Sequence, residues 1–390
     1  MIHAEARAIL GRLIAPLPLD AFLAHNLGRR FAHAPGNAAS PRAHLLGDDP
    51  ERTVLAAHEF APHLGSHAVE PLGPAPTLGP VADAGAFQRK IRSFHDLGYT
   101  VRVPLPRWLA PAFAETLRAL EALLHKPVSA EAFWSRGGGR APPHHDNHDI
   151  FVVHLLGRKR WHVSTDPVDL PNNWETVPRT PSLERSLQVE VGPGDLLYLP
   201  RGAVHRVDAL TDSLHLSIGF VPLTLREAMI AAIDHLSDLD RPLRESVAQP
   251  LARGAADRAL AAAMGAGFAR LAELCAAPAF VNDALQRRSS RAVRDLQADK
   301  APTGRVKVTP ASVVAHRPLE VAHLHLTGGK IDFSHPGGHL YIHAGAEEAV
   351  RFIAATPRFR VGDIPGPIGD DVRVTLAEEF LAAGFLELAP

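Results

Sequence analysis

Two stretches of the sequence decide the expected fold: PPHHDNHDIFVVHLLGRKRW (142–161) and GPGDLLYLPRGAVHRV (192–207). In the first, His144 and Asp146 lead into the apolar run DIFVVHLL, which predicts a strand. In the second, DLLYLP predicts another strand, and a Pro-Arg-Gly turn then leads to His205, 59 residues after Asp146. Side chains at positions i and i+2 of an extended backbone share one face, so His144 and Asp146 can hold one ion together. His205 can supply a third ligand from a neighbouring strand.

Two neutral imidazoles and one carboxylate make a facial triad that leaves three coordination positions open. Non-haem Fe(II) oxygenases use such a site, in which two open positions chelate an oxo-acid and the third takes dioxygen. Other interpretations stay open at this point. A His-x-Asp pair arises often by chance in a chain with 23 histidines, a barrel can bind nothing, and a zinc hydrolase can use the same ligand types.

The segments around these motifs predict a mixed fold. From 129 to 222, short Val-, Leu- and Ile-rich runs separated by Gly and Pro are typical of an antiparallel barrel or sandwich. Helices and one strand precede it, over AFQRKIRSFHDLG, YTVRVPL and PAFAETLRALEALL. Residues 1 to about 85 contain broken helical stretches such as LPLDAFLAHNL, and PLGPAPTLGP (71–80) is expected to be a loop.

After residue 223 the hydrophobic period becomes helical. Thr224 with Glu227 predicts a capping box, and Ala-rich helices are expected to continue to about Asp299. The last stretch, 301–390, mixes strands such as VAHLHL and GHLYIHA with helices. Thr375 with Glu378 predicts a second capping box there.

The composition limits the possible partners. A chain of 390 residues is expected to form two or three domains. Lys plus Arg is 41 and Asp plus Glu is 42, and this net charge of −1 does not favour nucleic acid or an anionic membrane. The single cysteine, Cys275, excludes an internal disulfide and is expected to be a buried thiol. Glu5, Arg7 and Arg12 interrupt any signal-peptide core, so a soluble, cytoplasmic protein is expected.

The two motifs resemble a known family. Pro143–Trp161 is similar to the JmjC-type oxygenases of the ribosomal-oxygenase (cupin-4) branch, which read P-H-x-D-x-x-D-V-F-x-x-Q-x-x-G-[RK]-[KR]-R-W. The stretch GDLLYLPRGAVH (194–205) resembles the branch's G-D-x-L-Y-[LI]-P-x-G-x-x-H, and SLHLSIGF its closing strand. The resemblance implies that His144, Asp146 and His205 bind Fe(II).

The resemblance also implies a site for 2-oxoglutarate. Lys159 corresponds to the basic residue that pairs with the distal carboxylate of this co-substrate, which needs a cation in a low-dielectric barrel. Ser217 is a second candidate contact, or an ordinary barrel hydroxyl. The chain departs from the pattern at His145, between the two ligands, and at His154, where the branch has Gln. His154 can point into the barrel and contact the co-substrate or the prime substrate, or be a core histidine.

The implied architecture is α+β and has three parts. Residues 1–222 are expected to form a double-stranded β-helix (jelly-roll, or cupin) catalytic barrel with N-terminal helices. Residues 223–300 correspond to a helical region that dimerises in the resembling proteins, and 301–390 to a winged-helix-like unit. The alternative for the helical region is a bundle packed on its own barrel. The last part has eight basic and ten acidic residues, 8 − 10 = −2, which argues against DNA binding.

The predicted activity is an Fe(II)- and 2-oxoglutarate-dependent hydroxylation that consumes O2 and releases succinate and CO2. The expected substrate is a protein or peptide side chain, such as an Arg or His of a ribosomal protein, since a metabolite oxygenase needs only the barrel. The alternatives are a natural-product precursor peptide, a small metabolite, or a non-catalytic cupin-like scaffold. An intact triad together with Lys159 argues against the scaffold, which needs neither.

Overall fold

The computed structural model describes residues 2–59, 63–67, 78–164, 170, 183, 186–246, 258–298 and 307–389. It divides into two compact units, Met1–Pro222 and Leu223–Pro390.

The first unit combines five helices with twelve strands. Its helices are α1 (Ile2–Ile14), α2 (Leu19–His25), α3 (Pro50–Leu55), α4 (Ala84–Asp96) and α5 (Pro111–Leu124). Its strands are β1 (Ala32–Ala34), β2 (His63–His67), β3 (Leu78–Pro80), β4 (Thr100–Pro104), β5 (Ser129–Ser135), β6 (Arg140–His144), β7 (Asp149–Leu156), β8 (Lys159–Val163), β9 (Leu187–Val191), β10 (Leu196–Leu199), β11 (His205–Ala209) and β12 (Ser213–Phe220).

These strands form two antiparallel sheets. The larger has the order β1-β10-β7-β12-β5-β4-β2-β3, and the smaller has the order β6-β11-β8-β9. The eight strands β5 to β12 are divided equally between the sheets in the interleaved order of a jelly roll. The predicted jelly-roll barrel is therefore confirmed. One expectation is corrected: Leu78–Pro80 forms β3 rather than a loop, and residues 71–77 lie outside the described residues.

The centre of the larger sheet is buried on both faces. Strand β7 is buried at seven of its eight positions, as its continuous apolar run predicts. The turn after it requires Gly157, whose φ is +68° and whose added Cβ would lie 1.9 Å from the carbonyl oxygen of Asp212. Helices α1, α2, α4 and α5 pack on this sheet with Phe22, Phe87 and Phe113 in one apolar core.

The second unit contains five helices and two small sheets. Its helices are α6 (Leu225–Leu239), α7 (Arg258–Cys275), α8 (Pro278–Asp295), α9 (Glu347–Ala355) and α10 (Asp370–Ala382). Its strands are β13 (Val313–His316), β14 (His323–Thr327), β15 (Lys330–His335), β16 (Gly338–His343), β17 (Arg358–Arg360) and β18 (Leu386–Leu388). They form the sheets β17-β13-β18 and β14-β15-β16, so the expected mixture of strands and helices is present.

Three local expectations can be compared with this second unit. The capping box of Thr224 and Glu227 is present at the start of α6. The second predicted box is wrong, because Thr375 lies inside α10 and its hydroxyl donates to the carbonyl oxygen of Asp371. Cys275 is exposed rather than buried, because it ends α7, a helix whose side chains are mostly exposed.

Within the described residues, no single helix is long and apolar enough to cross a membrane. Two helix pairs, bent by 86° and 105°, reach that length and composition only when their members are taken together.

Candidate active site

A cavity of about 120 Å³ lies in the first unit and is lined by both sheets. The larger sheet contributes alternate residues of its strands, because successive side chains of a strand point to opposite faces. On β5 these are Glu131, Phe133 and Ser135, and on β12 they are His215 and Ser217. The smaller sheet and its flanking turns contribute a second set: His144, Asp146, Lys159, Trp161, His205 and Val207.

The three predicted metal ligands come together in this cavity. His144 ends β6, His205 begins β11, and the two are direct partners in the antiparallel ladder. Their ring centroids are 4.2 Å apart. Asp146 follows β6 by two residues, and its Oδ2 lies 3.9 Å from Nε2 of His205. Two motifs that are 59 residues apart in sequence thus place their polar groups on one wall of the cavity.

Both imidazoles are oriented by the same local contact. Nδ1 of His144 is 2.9 Å from the carbonyl oxygen of Pro142, and Nδ1 of His205 is 3.0 Å from that of Ala203. A carbonyl oxygen only accepts, so Nδ1 carries the proton and Nε2 is the nitrogen that can bind an ion. Burial, with His144 adding to it, lowers the pKa of His205 to about 4, which keeps this imidazole neutral as a ligand must be.

These groups do not yet form a closed coordination shell. No group of three or more His, Cys, Asp or Glu side chains in the described part of the chain is already arranged to hold a metal ion. The donor types nevertheless fit Fe(II), and Nε2 of His205 lies 3.9 Å from the carboxylate of Asp146. The assignment of His144, Asp146 and His205 as ligands is therefore a proposal, argued below.

Lys159 lines the cavity and is 1% exposed. Its Nζ is 2.8 Å from the hydroxyl of Ser135 and 2.8 Å from Nδ1 of His215. The hydroxyl of Ser135 is in turn 2.9 Å from that of Thr100. Burial lowers the pKa of Lys159 to about 7. No carboxylate among the described residues pairs with this ammonium, so the site can accept an anion from solution.

The two other predicted contacts lie in different places. Ser217 lines the cavity, on the strand next to Glu131. His154 is buried, with Nε2 3.0 Å from the carbonyl oxygen of Gly157, and burial lowers its pKa to about 3. Ile150 and Val152 of the same strand line the cavity, whereas His154 does not. His154 is nevertheless the direct ladder partner of His215, which lines the cavity.

Ser135, Thr100 and His215 are cavity residues that sequence reasoning missed. Ser135 ends the strand SAEAFWS, whose alternation of Ser129, Glu131, Phe133 and Ser135 on one face was the available signal. His215 stacks on Phe133 with ring centroids 5.0 Å apart and an interplanar angle of 7°. His148 also lines the cavity, and Gly219 leaves room for its ring.

The comparisons with known proteins agree with this geometry. Residues 110–228 match the family model of the JmjC domain, so the chain contains a JmjC domain. The predicted resemblance is thereby confirmed. Ribosomal oxygenase 2 of Rattus norvegicus is 34% identical over 140 residues, which are 34% of this chain and 29% of that protein. The ribosomal protein uL16 3-hydroxylase of Escherichia coli is 30% identical over 101 residues, 25% of this chain and 27% of that protein.

A longer match joins the chain to the bifunctional lysine-specific demethylase and histidyl-hydroxylase NO66 of Drosophila willistoni, 25% identical over 221 residues. It covers 55% of this chain and 28% of that protein. The chain thus spans less than a third of the length of each of these three relatives.

The fold is shared with a solved structure. The ribosomal oxygenase YcfD of Escherichia coli, in complex with cobalt and 2-oxoglutarate, has a TM-score of 0.56 and 18% identity. The match covers 96% of this chain and 99% of that chain. The mixed helix-and-sheet fold of this chain therefore matches that structure over nearly its whole length.

Proposed function

We propose that this protein is an Fe(II)- and 2-oxoglutarate-dependent oxygenase. The observation that carries the proposal is the convergence of His144, Asp146 and His205 in one cavity that Lys159 also lines. A cupin-like scaffold requires neither a carboxylate beside oriented imidazoles nor a buried lysine that pairs with no carboxylate among the described residues. The JmjC domain and the relatives named ribosomal oxygenase support the same activity.

In this proposal His144, Asp146 and His205 hold the iron through two Nε2 atoms and one carboxylate. With O2 and 2-oxoglutarate bound, the iron supplies the oxidising power for hydroxylation, and succinate and CO2 are released. Lys159, supported by Ser135, binds the distal carboxylate of 2-oxoglutarate. Apolar side chains such as Ile150, Val152 and Trp161 exclude water around these charges, which strengthens each electrostatic contact.

Two further residues have smaller proposed roles. Ser217 lines the cavity next to Glu131, where its hydroxyl can donate to a carboxylate oxygen of bound co-substrate or to the prime substrate. His154 packs behind the cavity with its ring centroid 6.3 Å from that of His215. We propose that His154 acts on the co-substrate only through His215, the residue that contacts Lys159.

The proposed prime substrate is a side chain of a protein or peptide, an Arg or His of a ribosomal protein being the first choice. Relatives named ribosomal oxygenase and ribosomal protein uL16 3-hydroxylase support this choice. A second unit of 168 residues, Leu223–Pro390, also gives the chain more surface than a metabolite enzyme needs. Remote contacts with an extended polypeptide would position one C–H bond at the iron.

The test is to incubate the protein with Fe(II), ascorbate and 2-oxoglutarate, together with ribosomal proteins, candidate peptides or free amino acids. We expect succinate release and a ribosomal protein that gains the mass of one oxygen atom. If only a precursor peptide or a small molecule is modified, the oxygenase assignment stands and the proposed substrate is wrong. No succinate in any reaction, with metal bound, would favour the scaffold.

We also propose that the chain forms a homodimer through its helical region, residues 223–300. We propose further that the protein is cytoplasmic and does not bind DNA. Helix α7 is buried only at Leu271 among residues 261–273, although Met264 and Phe268 are each 52% exposed. On α6, Leu225 is 78% exposed and Met229 49%. Apolar faces of this kind are typical of interfaces between subunits. We propose that residues 301–390 form a winged-helix-like unit and that this unit docks the substrate.

Light scattering tests the dimer. We expect about twice the 41.9 kDa mass of one chain. A double Met264→Asp and Phe268→Asp variant should be monomeric, because two desolvated charges oppose association. The matched control is Leu97→Asp, at a site in the first unit that is 60% exposed, and it should remain a dimer. A monomeric wild type would favour a helical bundle that packs within its own chain.

A further inference from the structure

A buried carboxylate lies three residues beyond the proposed ligand Asp146. Asp149 begins β7 and is 0% exposed, and burial raises its pKa. The charge of Arg201 partly opposes this rise. The carboxylate oxygens accept hydrogen bonds from the backbone N–H of Arg201, at 2.9 Å, and from the hydroxyl of Tyr198. A fully buried carboxylate is expensive to desolvate, so its contacts need a specific explanation.

The Arg201 N–H belongs to the turn that delivers His205. This turn runs from Pro200 to Val204 and is closed by a bond from Ala203 N–H to the carbonyl oxygen of Pro200, at 3.0 Å. At its centre, the N–H of Gly202 donates to the carbonyl oxygen of Asp146, at 2.9 Å. The Asp146 carbonyl and the Asp149 carboxylate therefore hold neighbouring amides of one turn. The two ligand-bearing segments are joined at two points.

Tyr198 connects this network to the N-terminal helices. Its hydroxyl accepts from the N–H of Gly28, at 2.5 Å, and donates to Asp149. Its ring packs edge-on against Phe22 of α2, with centroids 4.9 Å apart. One carboxylate oxygen of Asp149 accepts from the Tyr198 hydroxyl, and the other accepts from the Arg201 N–H. These two hydrogen bonds together fix the orientation of the carboxylate.

We infer that Asp149 is a positioning residue that sets the distance between the ligand pair His144 and Asp146 and the third ligand His205. Tyr198 orients Asp149 for this role. The inference rests on the proposed metal site. Partners of this kind, which touch neither metal nor substrate, typically change metal affinity by about 10- to 100-fold when they are removed.

Binding of Co²⁺, followed by its visible absorption, tests the inference without turnover. Wild type and His205→Ala set the scale, since the first should bind one ion and the second should not. We expect Asp149→Ala to weaken Co²⁺ binding about 10- to 100-fold at a temperature well below its melting point. Asp149→Asn keeps an acceptor for Arg201 and should recover most of that loss. The control is Asp212→Ala, which removes a carboxylate bound to the N–H of Gly137 on an exposed turn, and it should bind as wild type does.

The outcomes are distinguishable from failure of the proposed function. A wild type that binds no Co²⁺ would refute the metal site itself. A wild type that binds, beside a folded Asp149→Ala variant with the same Kd, would overturn only the positioning role. If Asp149→Ala does not fold, the Tyr198→Phe variant tests the inference instead. It removes only the hydroxyl that binds Asp149, and the ring can keep its packing. We expect its Kd to rise about 3- to 10-fold, below the range for removing the carboxylate, and an unchanged Kd would overturn the inference.

Discussion

Each compact unit has a group of histidines beside a carboxylate. The two groups differ in the partners of the imidazole nitrogens. In the first unit, His144 and His205 each bind a backbone carbonyl oxygen through Nδ1, and both line a cavity together with Asp146. In the second unit, the sheet β14-β15-β16 places histidines beside Asp332 on one face, which packs against α8.

The histidines of the second group are bound to side chains. His323 has Ser290 at Nδ1 and Gln286 at Nε2. Nδ1 of His339 lies 3.3 Å from the carboxylate of Asp332 and 3.0 Å from a nitrogen of Arg294. These contacts hold α8 on the sheet. In the proposed metal site, by contrast, one nitrogen of each ring is held by a backbone carbonyl oxygen and the ring lines a cavity.

The largest expected effect separates the two carboxylates. Asp146→Ala removes the only anionic ligand, and we expect Co²⁺ binding and succinate production to fall by more than about 100-fold, the upper range for groups that only support a ligand. Asp332→Ala is the control: it removes the carboxylate beside the histidines of the second unit, and Co²⁺ binding and succinate production should both stay unchanged. Undiminished succinate production by Asp146→Ala would show that the site is elsewhere.

The next effect concerns the co-substrate. Lys159→Ala should raise the KM for 2-oxoglutarate by about 100-fold or more, because loss of one partner of a buried charge pair costs about 3–5 kcal/mol. Metal affinity should hardly change. Arg160→Ala is the matched control: its side chain pairs with Glu190 on the exposed face, and KM should stay within about twofold. Equal KM values for the two variants would move the carboxylate anchor away from Lys159.

A smaller effect follows from the lowered pKa of Lys159. Only the protonated amine attracts a carboxylate, and its pKa of about 7 means that the protonated fraction falls as pH rises above neutrality. The KM for 2-oxoglutarate should therefore rise by up to about tenfold per pH unit above pH 7. Lys159→Arg keeps its charge and should flatten this slope, whatever its absolute KM. A wild-type KM that is constant to pH 9 would contradict the prediction.

Much of the first unit could be predicted because its signals are local. The run DIFVVHLL became β7, and PAFAETLRALEALL became α5, with the same bounds. Strand β6 was not predicted, because RAPPH contains Pro142 and Pro143, which cannot donate to a ladder. The structure tolerates them because β6 is an edge strand of its sheet. The proposed ligand His144 was nevertheless singled out, although it ends a strand that sequence patterns disfavour.

The inner wall of the cavity could not be predicted in the same way. Ser135 and His215 meet Lys159 only because β5, β12 and β8 take one particular register, and register is a property of the whole sheet. His154 shows a different limit. The ladder between β7 and β12 is regular from Ile150 to His154 and shifts only beyond His154, so alternation is kept and the sequence alone does not show how far along β7 the cavity extends.

The smallest expected effect belongs to the second group of histidines. Burial, with His325 adding to it, lowers the pKa of His323 below its unfolded value, so its neutral form stabilises the fold above about pH 6.5 and this contribution is lost as pH falls. Hydrogen exchange of β14, corrected for the intrinsic rate, should show protection decreasing from pH 7 to pH 5. His323→Ala should lose about 1 kcal/mol of local stability at pH 7, the net value of a hydrogen bond, and show a weaker pH dependence. The exposed His343, replaced by Ala, should keep the wild-type pH profile. A profile in His323→Ala as steep as that of wild type would show that His323 is not the source of the acid sensitivity, and the contrast with the histidines of the cavity would then rest on geometry alone.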